Sequence, residues 1–110
     1  MRLVIAIIQP TKLALVREAL QEHGLDRMTA CDALGYGRQR GQLASFRGNE
    51  YKVDLLRKVA LEIAVNEEDL EKVVQQVREL ALTGCEGQIG DGKIFVLPMA
   101  DAIDIADPHR

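Results

Sequence analysis

Val59-Ala60-Leu61-Glu62-Ile63-Ala64-Val65-Asn66-Glu67-Glu68-Asp69-Leu70 holds the decisive change of period in this 110-residue chain. Val59, Leu61, Ile63 and Val65 alternate with Ala60, Glu62 and Ala64, the period-two pattern of a strand with one buried face. At Asn66 the period lengthens. Asn66 is suited to cap a helix, and Glu67, Glu68 and Asp69 complement the positive end of the helix dipole. Leu70, Val73, Val74, Val77, Leu80 and Ala81 then recur at three- and four-residue spacing, the apolar stripe of a helix that Gly84 ends.

Working outward, Ile94–Leu97 reads as the last strand. Upstream, Leu3–Ile8 is an apolar run stopped by Gln9-Pro10 and reads as a buried strand. Thr11 is placed to cap a helix from about Lys12 to His23, with Leu13, Val16 and Leu20 on one face and Gly24 as its stop. Met28–Leu34 alternates weakly as a further strand. Between Gly35 and Leu56 glycine, arginine and polar residues replace any periodicity. A connection of that length in a small domain marks function.

The order strand, helix, strand, strand, helix, strand specifies an α+β, ferredoxin-like βαββαβ sandwich: a four-stranded antiparallel sheet with both helices on one face. The whole of 1–110 is a single domain, with a long loop over about 36–56. Because Leu3–Ile8 and Ile94–Leu97 are apolar on both faces, the side away from the helices also needs cover, and self-association is expected.

Composition narrows the function. Hydrophobic residues make up 47% and charged residues 28%, an ordinary globular balance. The apolar runs are too short to cross a bilayer, and the chain opens with no leader pattern, so a cytoplasmic protein is expected. A net charge of −3, with two tyrosines, two phenylalanines and no tryptophan, speaks against nucleic acid as a partner. Cys31 and Cys85 are expected to be reduced thiols. With His23 and His109 distant from both in sequence, they form no metal set. A catalytic arrangement is equally absent. An acylphosphatase-type cradle needs an arginine just after the first strand, where Gln9-Pro10-Thr11-Lys12 has none, and a histidine phosphotransferase would depend on His23 or His109.

Thr83-Gly84-Cys85-Glu86-Gly87-Gln88-Ile89-Gly90-Asp91-Gly92-Lys93 joins helix to strand. Its glycines allow the backbone to turn successive N–H groups toward an anion, and Lys93 adds a charge. Equally, the glycines could serve turn geometry alone. The order of a Walker loop is absent. Arg38 and Arg40, in Gly35-Tyr36-Gly37-Arg38-Gln39-Arg40-Gly41, are either the missing cations for such a cradle or solvated loop charges.

Taken together these stretches resemble the PII signal-transduction proteins, in order from Leu3 to about Phe95. Ala6-Ile7-Ile8-Gln9-Pro10 and Val16-Arg17-Glu18-Ala19-Leu20 are similar to the family's first strand and helix. Gly35–Gly41 resembles the start of its long effector loop, and Arg47-Gly48-Asn49-Glu50-Tyr51 the tip. Thr83-Gly84 with Ile89–Phe95 resembles its phosphate-gripping loop, about 83–93. The resemblance implies a non-enzymatic regulator: a homotrimer binding ATP, ADP or AMP between subunits, with magnesium where ATP is held, and controlling a transporter or metabolic enzyme through its loop. It implies no tightly bound cofactor and no membrane insertion. By position it places Thr29 and Glu62 near the adenosine. Gly35, Gly37, Arg38, Gly84, Gly87, Gly90, Asp91, Gly92 and Lys93 fall at the nucleotide. Gln39 and Lys58 match residues serving magnesium and 2-oxoglutarate, and Tyr51 matches a tyrosine that some relatives have nucleotidylated.

The pattern is also broken. Cys85 stands where relatives carry a lysine, and the phosphate loop is longer than theirs. Asp104 and Ala106 occupy positions where relatives carry phosphate-holding arginines. Charge-assisted contacts are worth about 1.5–3 kcal/mol each, so losing two weakens a triphosphate by roughly two orders of magnitude or more. The expectation is a divergent member that favours a less charged nucleotide and lacks 2-oxoglutarate sensing. The alternative is a trimer similar to the metal-tolerance proteins of the same architecture, answering to another small anion or to metal.

Overall fold

The computed structural model describes residues 1–25, 27–40, 51–84, 87 and 90–106, the side chains of 35–40 and 51–55 excepted. Strand β1 (Arg2–Ile8) is followed by a 3-10 turn (Pro10–Lys12), helix α1 (Leu13–Glu22), strands β2 (Met28–Arg40) and β3 (Tyr51–Val65), helix α2 (Glu67–Ala81) and strand β4 (Gly92–Pro98). The four strands form one sheet in the order β2-β3-β1-β4, antiparallel throughout. This is the expected ferredoxin-like arrangement.

Alternation sets the core. Val4, Ala6 and Ile8 of β1 and Val59, Leu61, Ile63 and Val65 of β3 are buried against Val16 and Leu20 of α1 and Val73, Val77 and Ala81 of α2. The opposite sheet face is left open. There Leu3, Ile5 and Ile7 pair in register with Leu97, Phe95 and Lys93, and Phe95 is 49% exposed. An apolar surface of this kind on a small domain is what association covers.

Local details differ from the sequence expectation in instructive ways. Thr11 does not cap α1. Pro10, with its fixed φ, opens the 3-10 turn behind Gln9, and α1 follows with Lys12 at its N-cap and no side-chain capping bond. Asn66 does occupy the N-cap of α2 in an extended conformation, but its side chain makes no capping bond. The turn is closed by the backbone, Asp69 N–H donating to the Asn66 carbonyl at 3.0 Å.

β2 and β3 also run well into the stretch expected to be irregular, pairing from Met28↔Ile63 to Arg40↔Tyr51. A ladder uses backbone groups that every non-proline residue carries, so glycine and arginine can extend a ribbon without apolar periodicity. Of the expected loop over 36–56, residues 36–40 and 51–56 are strand, and the tip at 41–50 lies outside the described residues. β1 pairs with β3 only as far as Ile8↔Val59, so residues 51–58 of β3 pair with β2 alone and form a two-stranded ribbon.

Candidate functional site

The glycine-rich segment lies at the end of the sheet from which this ribbon rises. Gly92 opens β4 opposite Ile8, beside the exit of β1. A Cβ on Gly92 would stand 1.8 Å from the Ile7 carbonyl oxygen, at a φ of +129°. Only glycine permits that approach of two backbones. Gly87 (φ +77°) is less confined, a Cβ there meeting side chains only, 2.6 Å from Leu82 Cδ2 and 3.1 Å from Asp91 Oδ2. A Cβ on Gly84 (φ +72°) would have nothing within 4 Å; this glycine turns the chain after α2 has ended at Ala81, with Leu82 and not Gly84 at the C-cap.

Asp91 organises this turn. Its carboxylate accepts from the Thr83 hydroxyl at 2.6 Å, the Thr83 N–H at 3.0 Å and Gln9 Nε2 at 3.2 Å. Those bonds tie the exit of α2 and the end of β1 to one anion, with charge-assisted strength. Asp91 therefore holds the loop from within. Lys58 makes the other tie: its ammonium donates to the Gly90 carbonyl. Because Lys58 lies on β3, opposite Ala33 of β2, it joins the phosphate-loop candidate directly to the foot of the ribbon.

The electrostatics of the turn follow. The C-terminal end of α2 and the Asp91 carboxylate both contribute negative charge, so an anion here depends on nearby cations. Lys93 is exposed, and among the described residues it forms no ion pair. Arg78, on the last turn of α2, is a second cation with no ion pair among the described residues. Both line a cleft of 390 Å³ between α2 and β4 that also reaches Asp91 and Gly92. The sequence reading missed Arg78, as well as the anchoring roles of Gln9 and Thr83. A basic residue in the last turn of a helix that leads into a glycine-rich loop was the available signal for Arg78.

The remaining candidates divide into two groups. Gly35 (opposite Leu56), Gly37 (opposite Asp54), Arg38 (opposite Val53) and Gln39 (opposite Lys52) occupy the ribbon stem, at the same end of the sheet as Gly90–Lys93. Tyr51 pairs with Arg40 at the far end of the described ribbon. Thr29 and Glu62 face each other in register and are both exposed. Glu62 is level with Ile5 and Phe95, two positions along the strands from Lys93. With strands about 4.8 Å apart, Thr29 on β2 lies roughly 14 Å across the sheet from β4. One chain brings the ribbon stem and the glycine loop together, but not the Thr29–Glu62 pair.

Cys31 is a free, exposed thiol, and Cys85, Glu86, Gln88 and Ile89 lie outside the described residues, as does His109. Among the described residues no three His, Cys, Asp or Glu side chains are grouped as metal ligands. No helix is long and apolar enough to cross a membrane.

Comparison with known proteins agrees with this fold. The profile of the family described as "Nitrogen regulatory protein P-II" matches residues 1–109. The chain is 47% identical over 105 residues to a nitrogen regulatory protein P-II of Bradyrhizobium diazoefficiens, covering 96% of this chain and 91% of that one. It is 43% identical over 110 residues to the nitrogen regulatory protein P-II of Rhodospirillum rubrum, covering 100% and 96%. With nitrogen regulatory protein P-II 1 of Methanothermobacter thermautotrophicus it shares 48% over 105 residues, covering 96% and 89%.

Proposed function

Since the chain belongs to the nitrogen regulatory protein P-II family, whose members are signal transducers and not enzymes, we propose that it is a homotrimeric, cytoplasmic regulator that binds an adenine nucleotide at Gly90–Lys93. In this reading the nucleotide lies between subunits. Lys93, Gly90 and Gly92 of one subunit meet the phosphates together with Gly37 and Arg38 of the ribbon stem, and Thr29 and Glu62 of a neighbour meet the adenosine. The separation of Thr29 and Glu62 from the loop within one chain supports a shared site, and the open face carrying Ile5 and Phe95 supports association.

The observation that carries the proposal is the Lys58 tie between Gly90 and β3. A phosphate settling on the glycine loop competes for the same ammonium, and a charged acceptor is the stronger one. Ligand binding therefore acts on the foot of the β2–β3 ribbon, and the ribbon carries the change to a transporter or metabolic enzyme. A ligand needs to favour one ribbon state only modestly to shift its population.

Nucleotide choice follows from charge. Asp104 is engaged with Arg27 at 3.0 Å, and Ala106 offers no charge, so among the described residues the segment after β4, 99–106, supplies no cation to a triphosphate. The protein accordingly favours ADP or AMP over ATP, and 2-oxoglutarate adds nothing to ATP affinity. Titration calorimetry with ATP, ADP and AMP, each with and without 2-oxoglutarate and magnesium, tests this. Micromolar ATP affinity that tightens with 2-oxoglutarate would overturn the preference, and failure of all three nucleotides to bind would overturn the nucleotide reading.

A further inference from the structure

Gln9 is the residue through which β1 reaches the glycine turn, and its backbone is fixed independently of that contact. A residue before proline is held to extended conformations, and Gln9 is extended, at the N-cap of the 3-10 turn. Its carbonyl accepts from the Lys12 N–H at 2.9 Å. Immediately upstream, Ile8 is in register with both Gly92 and Val59, so the sheet clamps the position from the other side. From this fixed point the half-buried side chain crosses to the turn, where Nε2 donates to Asp91 Oδ1 at 3.2 Å.

Charge at position 9 therefore acts on the turn directly. Asp91 stands between Gly90 and Gly92. A side chain one hydrogen bond from its carboxylate falls within the screening length, about 10 Å at 0.1 M salt, of a phosphate on those glycines. The turn already holds the Asp91 anion beside the negative end of α2. Against them stand Lys93 and Arg78, and Lys58, which is engaged on the Gly90 carbonyl. A lysine at position 9 has the reach and the donor to make the same bond to Asp91, and would bring a full charge with it. Glutamine makes the tie with a neutral amide.

We infer that Gln9 is a specificity-determining residue: by tying Asp91 without adding a charge, it sets how many phosphates the glycine turn accepts and holds the preference at the less charged nucleotides. This rests on the nucleotide reading above. The signature is graded. Each further phosphate adds negative charge, so a charge placed at position 9 shifts ATP most, ADP less and AMP least, and salt screens the shifts away. A residue that only kept the turn in shape would move all three nucleotides together.

Titration calorimetry of the full chain with AMP, ADP and ATP, without magnesium and at about 0.05 M and about 1 M salt, reads that signature. Gln9→Lys raises the ATP-to-AMP affinity ratio about five-fold at the lower salt, and the isosteric Gln9→Glu lowers it by about the same factor. Gln9→Met, which loses the bond and adds no charge, weakens all three nucleotides and leaves their ratio where it was. At the higher salt the lysine and glutamate variants return to the ratio of the unaltered chain. Equal shifts for the three nucleotides in those two variants, or a Gln9→Met ratio that moves as far as theirs, overturn the specificity role while leaving the nucleotide site in place. An unaltered chain that binds none of the three overturns the nucleotide reading, and this inference falls with it.

Discussion

Replacing Gly92 by alanine tests whether this glycine exists for the approach of two strands or for the ligand. The added methyl would stand 1.8 Å from the Ile7 carbonyl oxygen, where ordinary contact begins at 3.4 Å. β4 must therefore retreat from β1 by roughly 1.6 Å, enough to break the pairing at Ile8↔Gly92 and Ile7↔Lys93. Two lost ladder bonds cost about 1 kcal/mol each. A side chain held at φ +129° adds about 1–2 kcal/mol of strain. The expected destabilisation is about 3–4 kcal/mol, a fall in Tm of roughly 12–16 °C for a chain of this size. Gly84→Ala is the control, since nothing lies within 4 Å of its added methyl, and only the left-handed φ costs it about 1 kcal/mol. Thermal and urea unfolding at one fixed protein concentration, which matters for an oligomer, compare the two. The reasoning fails if Gly92→Ala unfolds no earlier than Gly84→Ala, for the close approach would then not exist.

Other consequences can be checked with the same protein. Asp91→Ala removes the acceptor of Thr83 and Gln9, and should cost about 2–4 kcal/mol in urea unfolding, while Asp91→Asn should keep part of it. Lys58→Met unties Gly90 from β3, so amide exchange in the loop that includes Gly90 should accelerate about ten-fold while the core strands stay protected, read by mass spectrometry. Leu61→Ala, in the fully buried centre of β3, should cost about 2–5 kcal/mol. Leu34→Ala, at a position 65% exposed, should move stability by less than about 0.5 kcal/mol.

The parts of the fold legible in sequence were those whose period a core enforces. The stripe from Leu70 to Ala81 and the alternation from Val59 to Val65 both feed one buried cluster, so packing writes itself into residue order. The ribbon from Gly35 to Arg40 was not legible, because a two-stranded ladder away from the core places no demand on side-chain polarity. Thr11 misled because proline at the next position upstream starts a tighter turn. At the site, the glycine run was legible as a backbone that must bend. Its internal wiring was not. Gln9 meets Asp91 from 82 residues away and Lys58 meets Gly90 from 32, and no local rule reports contacts of that separation. Gly92 shows the limit of composition: a glycine in a candidate ligand loop can be there because a neighbouring carbonyl leaves room for nothing else.

The central claim is that a nucleotide on Gly90–Lys93 is felt by the β2–β3 ribbon. Amide exchange over residues 28–65 and 83–93, measured with and without saturating ADP, tests it most directly. The account predicts that ADP changes exchange in the loop and in the ribbon stem at 35–40 and 51–58 together, and that Lys93→Ala abolishes both changes. A change confined to the loop, with the ribbon unmoved, would contradict it.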